Sequence, residues 1–198
     1  AEMTLGFTVT GLRADPPVTL SGARPGDALV LTKPLGSGTL LAAEMRGRAA
    51  GPDVAAALDV MARPQGDAAQ ALSAAHAMTD VTGFGLAGHL MNISGASGCG
   101  ARLDLAALPL MRGAEALAAR GIRSTLWPEN HAALAGRIAG ETDRPRVALL
   151  FDPQTAGGLL AAVAPDAADV LVATLRAQGH DAARIGEMTD AAPGLTLA

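Results

Sequence analysis

The chain has 198 residues, 49% of them hydrophobic, which is enough for one compact domain with a buried core. Only 2% of the residues are aromatic, the net charge is −4, and the arginines form no dense basic run, which argues against a nucleic-acid-binding surface. The single cysteine, Cys99, cannot form an internal disulfide or a zinc site built on cysteines. No signal peptide and no apolar run of transmembrane length is visible, so we expect a cytoplasmic protein that does not bind membranes.

The first third of the chain predicts two strands and three helices. Alternating apolar residues over 4–11 predict a strand, and the continuous apolar run at 27–33 predicts a buried one. Ser37 is a suitable cap for a helix over 38–48. Residues 51–75 have helical composition, but Pro64 cannot lie inside one helix, so two helices are expected.

The middle of the chain predicts a short strand at 76–80 followed by a helix at 83–94. A strand at 101–105 and a helix at 113–120 come next. Asn130 could cap a further helix at 131–139, since a short polar side chain can accept hydrogen bonds from free backbone N–H groups.

The last third predicts a buried strand at 146–151 and another at 159–164. A helix follows from Pro165 to about Gln178, and two short strands end the chain. Because several neighbouring strands can pair antiparallel, we expect an α+β fold, a layered α/β sandwich with a mixed sheet.

"AMTDVTGFGLAGHL", residues 77–90, places Asp80 at the end of a strand and just before a helix. An aspartate there is commonly a helix N-cap. Alternatively, Thr82, Gly83 and Gly85 leave room for a phosphate near the helix N-terminus, and a cation would then separate that phosphate from Asp80. Mg²⁺ binds one or two carboxylates together with phosphate oxygens, so the pattern favours a metal–phosphate site that needs further carboxylates.

Three other features are less informative. "FDPQTAGGLL", residues 151–160, is either a connecting loop or a polar loop that lines a cleft. In "TKPLGSG", Lys33 precedes the glycines, which excludes a P-loop and favours a solvated lysine. The histidines have no metal-site spacing: His89 is expected on the helix surface or half-buried, and Cys99 as a small buried thiol.

Taken together, "SGARPGDALVLTKPLGSG", "AMTDVTGFGLAGHL" and "FDPQTAGGLL" resemble the selenophosphate synthetase family, the selenide, water dikinases. The resemblance extends from Leu5 to about Glu187. It implies the fold of the C-terminal domain of the aminoimidazole ribonucleotide synthetase superfamily. It also implies that the chain, which starts on Ala1 rather than Met, is a piece of a longer protein: residues 1–13 would be the last strand of a missing N-terminal domain, and residues 14–198 the C-terminal domain.

The same resemblance implies an activity. The family converts ATP, selenide and water to selenophosphate, AMP and phosphate with Mg²⁺, and its catalytic Cys or selenocysteine lies in the N-terminal half. Asp80 matches a metal-binding aspartate, and its neighbours in the motif, with Gln154 and Thr155, match segments that line the nucleotide cleft. Lys33 and Cys99 do not lie in the N-terminal motif and have no catalytic role, so no catalytic residue is expected in this chain. The full-length protein is expected to be a homodimer and the isolated chain to be inactive.

Two alternatives remain open from the sequence. The chain could be a non-catalytic docking or dimerisation module of a longer protein. It could also belong to a sibling ATP-using enzyme of the same superfamily, such as thiamine-monophosphate kinase.

Overall fold

One mixed sheet organises the protein. A computed structural model describes residues 6–12, 16–134, 136–140 and 142–198. Within these ranges the seven strands are β1 (Ala28–Leu31), β2 (Ala77–Asp80), β3 (Gly100–Leu103), β4 (Ile138–Ala139), β5 (Leu159–Val163), β6 (Ala183–Thr189) and β7 (Leu195–Leu197). Their spatial order is β2-β5-β1-β6-β3-β7-β4, with β7 parallel to both of its neighbours and the other pairs antiparallel. The predicted α+β class with a mixed sheet is confirmed.

Eight helices lie in the same described ranges. They are α1 (Ser37–Glu44), α2 (Gly51–Ala62), α3 (Gly66–Ala71), α4 (Gly85–Ser97), α5 (Ala114–Ala119), α6 (Trp127–Ala133), α7 (Pro145–Leu150) and α8 (Ala168–Ala177). The predicted break between α2 and α3 at Pro64 is confirmed. Gly98 follows the last residue of helix α4 as its C-cap, and its φ of 72° is left-handed and therefore suits glycine.

The helices cover the two faces of the sheet unequally. Apolar residues of α4 and α7 pack on one face, along the strands from β2 to β7. Helices α3 and α8 pack on the other face, over β1, β2 and β5, and α8 also contacts β6. Helices α1, α2 and α5 form a third apolar cluster beside the sheet, which Leu149 of α7 joins. The end of the sheet that consists of β2, β5 and β1 is therefore covered by helices on both faces.

The predicted strand at 146–151 is wrong, because this segment forms helix α7. Pro145 lies in its first turn, a position that suits proline because no backbone N–H is needed there. Val147 and Leu150 contact the sheet-facing cluster, whereas Leu149 contacts the cluster of α1, α2 and α5. A short apolar run buried on several sides has no periodicity that distinguishes a helix from a strand.

Two predicted caps are also wrong. Helix α6 begins at Trp127, so Asn130 lies inside the helix, and the predicted end of that helix instead contains the short strand β4. The N-cap of α1 is Gly36, and Ser37 makes no side-chain capping bond. Both polar side chains instead form contacts between segments, which are described below.

The predicted strand at 4–11 finds no counterpart in the described residues. Residues 6–12 form neither helix nor strand and are exposed, and the start of the predicted strand lies outside the described residues. The assignment of residues 1–13 to a preceding domain stays a prediction, since a strand that pairs in another domain would find no partner here. No helix in the described part of the chain combines the length and apolarity needed to cross a membrane.

Candidate functional site

The three motif segments meet at one edge of the sheet. Strand β5 is antiparallel to both β1 and β2, so the carboxyl ends of β1 and β2 lie beside the amino end of β5. Leu31 pairs with Leu160, and Asp80 pairs with Leu159. Residues 32–38, 80–85 and 151–158 therefore surround one edge, which we call the motif edge.

Asp80 presents an available carboxylate at the motif edge. It is the exposed last residue of β2, and no donor in the described part of the chain bonds to its side chain. The alternative that Asp80 caps helix α4 is wrong, because the N-cap is Phe84 and makes no side-chain capping bond. Among the described residues the carboxylate therefore accepts no hydrogen bond and forms no salt bridge, although its charge acts on the nearby His89.

The backbone after Asp80 is held firmly. The Val81 N–H donates to the Gly158 carbonyl at 2.8 Å, and the Gln154 N–H donates to the Thr82 carbonyl at 2.9 Å. A Cβ at position 157 would collide with the Val81 carbonyl, which explains why glycine lies there. The segments 80–85 and 151–158 therefore form one packed unit.

Gly85 also allows the segments 80–85 and 151–158 to pack closely. Its φ is 69°, and a Cβ there would lie 2.6 Å from the Leu150 carbonyl oxygen. At Gly83, by contrast, an added Cβ would meet nothing within 4 Å, so open space lies next to this residue. Of the two glycines in the motif, Gly85 is required by close packing and Gly83 faces free volume.

His89 is buried, contrary to the expected surface or half-buried position. Its side chain extends from α4 to the loop, where Nε2 accepts the Thr82 N–H at 3.0 Å and lies 3.3 Å from the Thr82 hydroxyl. Burial lowers the pKa of His89, while the Asp80 charge opposes that shift. The neutral ring has the acceptor lone pair that the Thr82 N–H requires.

Asn130 joins the same unit from helix α6. Its side-chain Nδ2 donates to the Gly83 carbonyl at 2.8 Å and to the Phe151 carbonyl at 3.0 Å. A single amide thus holds one carbonyl from each of two motif segments.

Gln154 and Thr155 differ in what they present. The Gln154 Oε1 accepts hydrogen bonds from the Gly36 N–H at 3.0 Å and the Ser37 hydroxyl at 3.2 Å. Its amide is buried and held inside the protein, whereas Thr155 is exposed and its N–H donates to the Ser37 hydroxyl at 2.9 Å. Gln154 joins the segments 32–38 and 151–158, and Thr155 is the one of the two that reaches solvent.

Asp152 is buried beneath this surface. One carboxylate oxygen accepts the Thr39 N–H at 3.0 Å and the other accepts the Thr39 hydroxyl at 2.9 Å. The carboxylate also accepts a bond from Gln154 Nε2 at 3.2 Å. Burial raises the pKa of Asp152 to about 6, although these hydrogen bonds favour its charged form.

Lys33 is buried, so the predicted solvated lysine is wrong. It is 3% exposed, and its Nζ donates to the Ala156 carbonyl at 3.0 Å and the Met61 carbonyl at 3.4 Å. Burial, aided by the charge of Arg63, lowers the pKa of Lys33. Lys33 therefore supports the loop 151–158 from behind. The expectation that Cys99 is a buried thiol is confirmed.

Sequence reasoning misses three residues of this edge. Gln65 accepts the Thr32 hydroxyl at 2.8 Å and donates to the Gly157 carbonyl at 2.8 Å, and nothing in its local sequence indicates this. The sequence around Asn130 indicates a helix cap, and it does not indicate that the side chain contacts two other segments. His89 carries a usable signal, because it follows Leu86 by three residues and precedes Ile93 by four, on the apolar face of α4.

The donors at the motif edge suit a hard cation but do not complete a site. The Asp80 carboxylate and the Thr82 hydroxyl offer oxygen ligands, which Mg²⁺ prefers. Within the ranges that the structure describes, no group of three or more His, Cys, Asp or Glu residues could hold a metal ion. One carboxylate is too few to hold Mg²⁺ alone, and phosphate oxygens and water can supply several of the remaining ligands.

Comparisons with known proteins identify the relatives of this chain. The family model described as "AIR synthase related protein, C-terminal domain" matches residues 24–197. A selenide, water dikinase of Burkholderia pseudomallei is 45% identical over 178 residues, which cover 87% of this chain and 50% of that protein. The chain thus spans about half the length of this curated relative. The resemblance to selenophosphate synthetases is confirmed.

Solved structures agree on the fold. The thiamine-monophosphate kinase of Stenotrophomonas maltophilia superposes with a TM-score of 0.63 at 23% identity, covering 91% of this chain and 52% of that one. The hydrogenase maturation protein HypE in complex with ATP superposes with a TM-score of 0.55 at 19% identity, covering 91% and 49%. At these identities the likeness concerns the fold.

Proposed function

The chain belongs to the family of AIR synthase related proteins, as their C-terminal domain, and from this premise we propose that it is one half of a selenide, water dikinase. The complete protein would convert ATP, selenide and water to selenophosphate, AMP and phosphate. The 45% identity to a protein of that name, together with the three motifs, supports this choice over sibling enzymes. The ATP bound by a structural neighbour supports a nucleotide as one substrate.

The observation that carries the proposal is the state of Asp80. A carboxylate at the end of a strand, exposed and without a donor in the described residues, is available to a ligand from outside. Because this chain spans half of its curated relative, the remaining ligands of the cation would come from the other half. Asp80 would contribute one Mg²⁺ ligand.

The other predicted site residues would have two kinds of role. Thr82, Gly83 and Thr155 would line the wall of the nucleotide cleft, since a hydroxyl, an open backbone and an exposed side chain lie there. Gly85 and Gln154 would act by positioning, because one permits close packing and the other joins two segments through its buried amide. Bound Mg²⁺ would neutralise phosphate charge and stabilise the charge that develops in phosphoryl transfer.

A second domain would cover the motif edge. Phe84 lies within the segment 80–85 and is 62% exposed, so it offers a large apolar side chain to a neighbouring domain at this edge. We infer that the N-terminal half packs there, that the complete protein forms a homodimer, and that the isolated chain does not turn over ATP. Cytoplasmic localisation stays a prediction.

The test replaces Asp80 by alanine in the full-length protein. Loss of a group that merely orients a metal ligand already lowers metal affinity or activity roughly 10–100-fold, so we expect loss of the ligand to lower selenide-dependent AMP formation by about 100-fold or more. Asp166→Ala is the matched control, because Asp166 is exposed and follows the carboxyl end of β5, at the opposite edge of the sheet. That variant should keep its activity.

Full activity of a folded Asp80→Ala protein would contradict the proposed role. The alternative, a docking or dimerisation module, instead predicts no ATP turnover by the complete protein with or without the substitution. ATP turnover that does not respond to selenide would point to a sibling enzyme.

A further inference from the structure

We propose that His89 is a positioning residue for Asp80, because its Nε2 atom holds the Thr82 N–H and so fixes the direction in which the chain leaves β2. This inference rests on the proposed metal-binding role of Asp80. The motifs and the comparisons assign no role to His89.

The geometry of helix α4 explains how His89 reaches the loop. Side chains of a helix point back towards its N-terminus, so a residue in the second turn can contact the residues that precede the helix. Helix α4 begins at Gly85, and the His89 ring meets Thr82, seven residues earlier, at 3.0 Å from Nε2 to the backbone N.

The His89 ring has little freedom to move. It is 7% exposed, and the Phe84 ring lies against it with 5.5 Å between ring centroids. Gly88 permits this contact, since a Cβ there would lie 2.6 Å from the Phe84 Cβ. A fixed ring gives a fixed acceptor position for the loop.

The hydrogen bond to His89 completes a set that holds the two residues after Asp80. The Val81 N–H is held by Gly158, and the Thr82 carbonyl by the Gln154 N–H. Without His89, the Thr82 N–H would have no acceptor among the described residues. The peptide between Val81 and Thr82 would then lose this anchor and would be held only by the bonds on either side of it, so the position of the adjacent Asp80 carboxylate would be less well defined.

The experiment uses the full-length protein with two matched substitutions, His89→Leu and His89→Gln. Leucine fills the space without an acceptor, whereas the glutamine Oε1 can occupy a position near that of Nε2. Mn²⁺ affinity in the presence of ATP, measured by electron paramagnetic resonance, should fall about tenfold in His89→Leu. It should return to near the wild-type value in His89→Gln.

Three outcomes would overturn the inference or its premise. Wild-type affinity in His89→Leu contradicts a positioning role, and equal weakening in both variants indicates that the ring acts only by packing. An Asp80→Asn protein that binds Mn²⁺ like the wild type contradicts the proposed function itself, so the two failures are distinguishable.

A measurement on the wild-type protein covers the case in which His89→Leu does not fold. Amide hydrogen exchange followed by NMR should show a protected Thr82 N–H, because the group is bonded to a buried acceptor. Rapid exchange of this amide would overturn the inference without any variant.

Discussion

Asp80 and Asp152 lie in adjacent segments of the motif edge, yet their surroundings are opposite. Asp80 is exposed and has no donor in the described residues, whereas Asp152 is fully buried and accepts bonds from Thr39 and Gln154. One carboxylate is available to an external cation, and the other holds the N-terminal turn of α1 against the loop 151–158. The role of each aspartate therefore depends on its exposure to solvent and on the hydrogen-bond donors around it, and not on the residues next to it in the sequence.

The largest expected difference in stability is between two single variants, in which either Asp152 or Asp80 is replaced by alanine. The unfolding free energy of each variant is measured by urea unfolding. Asp152→Ala leaves the Thr39 N–H and the Thr39 hydroxyl without their acceptor in the interior, so we expect a loss of about 3 kcal/mol in unfolding free energy. Asp80→Ala removes an exposed group and should change stability by less than about 0.5 kcal/mol. Similar losses for both variants would contradict the contrast between the two aspartates.

A smaller effect should appear as a pH dependence that belongs to Asp152. Burial raises its pKa to about 6 in the folded protein, above the ordinary value of 3.8. The folded state therefore binds the proton more tightly, and this stabilisation is complete below about pH 4 and is lost as the pH rises through about 6. We expect the unfolding free energy attributable to Asp152 to be about 1 kcal/mol greater at pH 5 than at pH 7.5.

The matched variant for this measurement is Asp152→Asn, which keeps the shape of the side chain and does not titrate. The difference between wild type and variant isolates the contribution of Asp152 from other titrating groups. If the unfolding free energy of the wild type minus that of Asp152→Asn is the same at both pH values, or is larger at pH 7.5, the result would contradict the proposal that burial disfavours the charged form of Asp152.

Much of the fold could be predicted because its signals are local. Strand β1 is a short apolar run between turns, and the break between α2 and α3 follows from the missing N–H of Pro64. Helix α7 could not be predicted, because its apolar residues contact two different clusters and leave no periodicity.

The candidate site could be predicted only as far as its motifs. Asp80 could be identified because it is a carboxylate at the end of a strand and is followed by glycines. Thr82, Gly83 and Gly85 could be identified because they belong to the same motif. The burial of Lys33 and the contacts of Asn130 depend on segments more than 20 residues away, at Met61, Ala156, Gly83 and Phe151. No spacing within a segment reports such contacts, because they arise when separate segments meet at one edge of the sheet.

The most direct test of the metal-binding role of Asp80 is a crystal structure of the full-length protein with Mg²⁺ and a non-hydrolysable ATP analogue. We expect an Asp80 carboxylate oxygen about 2.1 Å from a Mg²⁺ ion, with the remaining ligands from the nucleotide, water and the other half of the protein. An Asp80 side chain turned away from every bound Mg²⁺ ion would contradict this role.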